Sequence, residues 1–270
     1  MSAVASAVRR VFHGGRVWTI QGVGTLLWLA LAYAALWIHE AKAWEVAGSA
    51  LLALFLVYLA AFLQRSALRV YRRARLSAQG PAQARAAQPR RAIGQWLPGA
   101  VLVALLFALL AWLCAWMGEK LPDAAQKVAS WLTLHLRRPV DPYRVQAGAE
   151  SVIFLGPWFL FVVLWLPLAA AALLGEPGLW RSAARAWRQV RYWVATLACV
   201  AVGYFSFWKL AEWVPKVRGI SGQTASMVGR LALGYVIALG AWLVILALVE
   251  EAIAAVPAPS LDDTQDLTPQ

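Results

Sequence analysis

A few residues have the types that could do chemistry. Ser221 stands between glycines in "GISG", residues 219–222. A serine nucleophile needs a base within hydrogen-bond reach, yet His13, His39 and His135 all precede it in other segments. Glu250 and Glu251 close the last apolar run and read as acids marking where a helix leaves an apolar medium. Lys209 and Glu212, three residues apart, share one helical face and are expected to pair there. Cys114 and Cys199 lie inside apolar runs, where the thiolate is disfavoured, so both read as small packing residues. Metal ligation wants His, Cys or carboxylates clustered at helical spacing, and His39–Glu40 and His135 offer no such set. The chain is therefore expected to be non-catalytic, with no metal or cofactor site.

The elements that would position these groups are apolar to an unusual degree. Hydrophobic residues make up 61% of the 270 and charged residues only 14%, a composition that excludes an ordinary soluble domain. Six apolar runs, free of charge through their middles, predict spans over 17–38, 46–64, 96–118, 151–175, 192–212 and 229–250. Each has about the 17 to 25 residues that crossing requires. Backbone groups in hydrocarbon must bond within their own segment, so the runs are expected to be helices; the alternating ten-residue strands of a barrel are not present. The expected architecture is an all-α integral membrane protein. One polytopic domain covers 1–252 and a disordered acidic tail covers 253–270. The first run lacks a small-residue cleavage site and is read as a retained helix.

Lys and Arg total 25 against 13 Asp and Glu, and they fall in blocks between the runs. With the N-terminus in the cytoplasm the inner segments hold 15 basic residues and the outer ones 10. That excess predicts N-in and C-in insertion in a bacterial-type cytoplasmic membrane. Tryptophan, present 16 times, marks interfaces because its ring is apolar and its N–H reaches water. Trp18, Trp96, Trp180, Trp187 and Trp193 then cluster near the inner boundary, and Trp37, Trp44, Trp112, Trp116, Trp208 and Trp213 near the outer one. Trp28, Trp165 and Trp242 fall near the middle.

Two amphipathic stretches between runs predict surface-lying helices, one on each side. Over 123–138, Val128, Trp131, Leu132 and His135 form one stripe, ended by Pro139 and Pro142. Over 178–190, "GLWRSAARAWRQV", Trp180, Ala183, Ala184, Trp187 and Val190 share one face and Arg181, Arg185 and Arg188 another. Trp facing acyl chains and Arg meeting phosphates is the pattern of an in-plane helix on anionic phospholipid. Its greasy face and flanking spans speak against nucleic acid.

Within the runs, Ala195, Cys199 and Gly203 recur at steps of four, as do Gly234 and Ala238, spacings that let helix backbones approach. Pro157 and Pro167 predict a kink in the fourth run, which frees carbonyls. The expected function is a non-catalytic integral subunit or scaffold of a larger membrane assembly, contacting lipid and partner proteins through Trp180, Arg181, Arg185, Trp187, Arg188 and Trp131. The competing expectation is a small-molecule or lipid transporter using the kinked run and the polar groups Gln21, Thr25 and Ser206.

Overall fold

The structure, a computed structural model, describes residues 3–38, 42–79, 97–176, 178–215 and 219–254. The connector 80–96 and most of the expected acidic tail, from residue 255 onward, lie outside the described residues. Every described element is helical: α1 (Ala3–His13), α2 (Gly15–Ala35), α3 (Ala43–Gln79), α4 (Leu97–Leu136), α5 (Pro142–Leu160), a π-helical segment (Phe161–Trp165), α6 (Leu166–Leu174), α7 (Leu179–Trp187), α8 (Val190–Glu212) and α9 (Ile220–Ile253). Four of them, α2, α3, α8 and α9, are long and apolar enough to cross a membrane. The third run lies in α4, and the fourth is divided among α5, the π segment and α6.

Pro167 gives a physical reason for that division. It sits in the first turn of α6, directly after the π segment. Proline has no N–H to offer the carbonyls four and five residues back, and its ring crowds the nearer one, so the α register cannot run through it unchanged. Helix α6 then ends at Gly175 (φ 69°), where the N–H of Glu176 meets the carbonyl of Ala171 at 2.9 Å and that of Gly175 meets Ala172 at 3.0 Å. Such closure needs a left-handed residue, which glycine adopts without a Cβ penalty.

The surface helix expected over 123–138 is not a separate element. Residues 123–136 continue α4 straight through Pro122, and Arg137 (φ 51°) turns the chain only after Leu136. Packing offsets the hydrogen bond that Pro122 removes: Leu121, Ala125 and Ala129, one stripe at steps of four, are buried, and α4 packs along α5. The face carrying Val128 and Trp131 is the exposed one. Pro142 opens α5 instead of closing the preceding helix. Its missing N–H is harmless in a first turn, and Asp141 Oδ1 caps the N–H of Tyr143 at 2.9 Å. At 1.5 Å per residue, the 40 residues of α4 extend about 60 Å.

The helices pair as antiparallel neighbours. Trp28 Nε1 on α2 donates to the Leu56 carbonyl of α3 at 2.9 Å, and Gln21 Nε2 to that of Leu63 at 2.5 Å. On α8 and α9, Arg230 Nη1 reaches the Leu210 carbonyl at 3.2 Å. The pairs meet mainly at one end, the one carrying the arginine blocks. There α1, α3, the start of α6, α7 and the last three turns of α9 bury Val11, Leu68, Tyr71, Leu166, Leu243 and Ile253 in one cluster. The most apolar stretches of α2, α3 and α8 are only 11%, 11% and 17% buried, against 50% for α9.

Candidate functional site

The arginine-rich end is built around a carboxylate. The apolar face of α9 runs through Leu243, Leu246 and Val249 into Glu250, which keeps 1% of its surface exposed. Removing a carboxylate from water costs several kcal/mol unless partners compensate. Arg75 Nε on α3 donates to Glu250 Oε1 at 3.1 Å, and Arg10 Nη1 on α1 lies 3.6 Å from Oε2. Arg10 also pairs with Glu251 through Nη2. One turn before Arg75, Arg72 Nη1 reaches Glu176 Oε1, in the turn between α6 and α7, at 2.6 Å. These pairs join α1, α3, the α6–α7 turn and α9, whose sequence separations reach 241 residues.

Sequence reasoning missed this cluster, and it missed α1. The signal available was the strong segregation of α1, which turns Ala7 and Val11 inward and Arg9 outward. For Glu250 the signal was only an acid ending an apolar run on a face otherwise rich in arginine.

Helix α7 occupies the stretch 178–190 in part: it begins after Gly178 (φ 83°) and stops at Trp187, with Val190 opening α8. Its inward face is Ser182, Ala183 and Ala186. Arg181, Arg185 and Arg188 are exposed, as is Trp180 at 67%. Trp187 turns toward the protein. Its Nε1 donates to the Leu164 carbonyl at 3.1 Å, while Trp193 Nε1 donates to the Trp187 carbonyl at 2.9 Å. Tyr192 Oη donates to the Val162 carbonyl at 2.7 Å. Val162 and Leu164 lie within the π segment, and Val162 is five residues before Pro167. Side chains from α7 and α8 therefore fill acceptors that the distorted helix leaves available. Gln189 Nε2 adds a bond to the Ala252 carbonyl at 3.2 Å, tying the α7–α8 junction to α9.

Of the other residues singled out from sequence, Gly203 and Ala238 face each other across α8 and α9. A Cβ placed on Gly203 would lie 3.8 Å from Ala238 Cα and 3.3 Å from Ala241 Cβ. A Cβ on Gly234 would come within 2.9 Å of the Phe207 ring. Ala195 is buried, Cys199 half-buried. Trp131 is exposed and stacks on His135, with ring centroids 4.1 Å apart, well away from α7 in the chain. Pro157 falls within α5, its side chain outside the described residues. Lys209 and Glu212 pair at 3.5 Å on an exposed surface. Ser221 is exposed in the first turn of α9.

The polar groups within the apolar runs act between helices. Besides the Leu63 carbonyl, Gln21 Nε2 lies 3.3 Å from Ser66 Oγ. Thr25 Oγ1 and Tyr235 Oη share a hydrogen bond of 2.6 Å, and Tyr235 Oη also reaches the Gly22 carbonyl at 2.8 Å. Among the described residues no group of three or more His, Cys, Asp or Glu is placed to hold a metal. No protein-family model, curated protein or solved structure matches the chain.

Proposed function

We propose that the chain is a non-catalytic, multi-pass subunit or scaffold of a larger assembly in a bacterial-type cytoplasmic membrane. One observation carries the reading: the helices consolidate at the arginine-rich end and leave most of their apolar length unburied, 11% to 17% of it buried in three of the four crossing helices. Leu36 at the C-cap of α2, Trp112 on α4 and Phe205 on α8 are large, apolar and exposed. Lipid covers such surface, and so do the helices of another protein, since membrane association works through close packing of small residues and shape.

In this reading six spans cross, the third in α4 and the fourth in α5 and α6. Both termini and the arginine-rich end face the cytoplasm, as the basic excess there supports. The small residues Ala195, Cys199, Gly203, Gly234 and Ala238 allow close approach of α8 and α9. Helix α7 lies along the inner boundary with Arg181, Arg185 and Arg188 toward anionic phospholipid, each contributing about 1 kcal/mol near such a surface. Trp180 is a contact point for lipid or partner, and Trp131, on the part of α4 beyond the apolar run, for a partner.

Transport is the competing class. It draws less support because Gln21 and Thr25, two of the three polar groups expected to meet a solute, are engaged in bonds between α2, α3 and α9. Purification in a mild detergent, followed by identification of co-purifying chains, tests the proposal. A discrete partner present in fixed ratio supports it; a lone monodisperse monomer whose melting shifts with a solute, and loses that shift in Pro157→Ala, replaces it with transport.

A further inference from the structure

Helix α3 carries arginines on two faces. Toward the core, Arg72 and Arg75 meet Glu176 and Glu250. Along another face, Arg65, Arg69 and Arg73 recur every fourth residue, about 6 Å apart at each step. A second row with the same spacing, Phe62, Ser66 and Val70, runs beside them, and the two rows of this one helix flank a half-open groove of about 250 Å³. The arginine row begins where the apolar part of α3 ends.

Charge and shape specify what fits. Like charges one helical turn apart repel, and the described acids of this end, Glu176, Glu250 and Glu251, are held by Arg10, Arg72 and Arg75. An anion between Arg69 and Arg73, both exposed, relieves that repulsion, and guanidinium groups suit phosphate oxygens in particular. Phe62 and Val70, exposed on the neighbouring row, offer the same ligand an apolar wall.

We propose that this groove binds the phosphodiester of one anionic phospholipid, with its phosphate between Arg69 and Arg73 beside Val70 and one of its acyl chains along Phe62. The inference rests on the reading of the chain as a membrane protein whose arginine-rich end faces the cytoplasmic leaflet, and it adds a site separate from α7.

Native mass spectrometry of the full chain, released from nanodiscs containing phosphatidylglycerol or phosphatidylcholine, tests it. The unaltered chain is expected to retain one phosphatidylglycerol. Arg69→Gln/Arg73→Gln, checked for unchanged helix content, is expected to bind it roughly thirtyfold more weakly, about 1 kcal/mol per arginine. Arg181→Gln/Arg185→Gln is expected to retain it. Four results overturn the groove alone: equal retention by the Arg69/Arg73 variant, equal retention of phosphatidylcholine, displacement by inorganic phosphate, or binding that appears only when residues 255–270 are removed. The third would mean a free-anion site and the fourth a site filled by the acidic tail. Failure of the chain to enter a bilayer overturns the membrane reading and the groove with it.

Discussion

Glu250 carries more of the structure than its neighbour. Both acids end the same helix and both meet Arg10, but Glu250 is buried and also receives Arg75. Replacing Glu250 with Ala leaves Arg75 in low dielectric without its counter-charge and Arg10 with Glu251 alone, a loss of about 3 kcal/mol before any rearrangement. Glu251→Ala, at a more exposed position, is expected to cost under about 1 kcal/mol. Thermal unfolding in detergent checks both, and equal effects would contradict the assignment of Glu250 as the centre of the cluster. Tyr192 offers a cleaner test because one atom is at issue. Tyr192→Phe removes the donor to the Val162 carbonyl and is expected to destabilise by about 1 to 2 kcal/mol, with faster amide exchange in the π segment. A variant that melts unchanged would mean that the π segment needs no outside donor.

At the scale of elements, the sequence announces spans more plainly than it announces how they meet. The apolar runs are legible because hydrocarbon excludes charge and demands helix, so length and composition suffice for α2, α3, α8 and α9. Residues 123–138 show the limit: they read as a separate surface helix, yet the buried stripe Leu121, Ala125, Ala129 against α5 carries α4 through Pro122 into them. Stripe and partner are 20 or so residues apart, and no local pattern joins them. Helix α7 shows a second limit. Its segregation of arginine from alanine and tryptophan is visible in the sequence, but the same pattern suits lipid or protein, and here Ala183 and Ala186 are buried against protein while Trp180 stays largely exposed. The ion pairs of Glu250 join residues 175 and more positions apart, beyond the reach of any spacing rule.

Two outcomes follow at this scale. A continuous α4 projects its last turns away from the apolar runs, so Leu134→Cys, in a chain with Cys114 and Cys199 replaced by Ala, is expected to react rapidly with a membrane-impermeant maleimide and to escape quenching by lipid-borne spin labels. Strong quenching would restore a helix lying on the bilayer. Reversing Arg181, Arg185 and Arg188 to Glu is expected to lower the yield of membrane-inserted protein or of its complexes, more so at low salt, where surface attraction is least screened. Unchanged yield and unchanged complexes would remove α7 as a lipid or partner contact.

For the whole molecule, the distribution of burial is the main fact. One end is drawn together by buried aliphatics and paired charges; along much of their apolar length α2, α3 and α8 stay largely uncovered. A chain arranged in this way has a fixed base and free helix faces, which suits a subunit whose remaining packing is supplied by another protein. The most direct measurement is site-specific photo-crosslinking in native membranes, with a photoreactive residue placed in turn at Leu36, Trp112 and Phe205, which the structure exposes, and at the buried Leu243 as a control. A discrete crosslinked product, larger than the chain by the mass of a partner, is expected from at least one of the exposed positions and none from Leu243. Lipid adducts of the single chain from all three exposed positions, with no protein product, would contradict the scaffold reading.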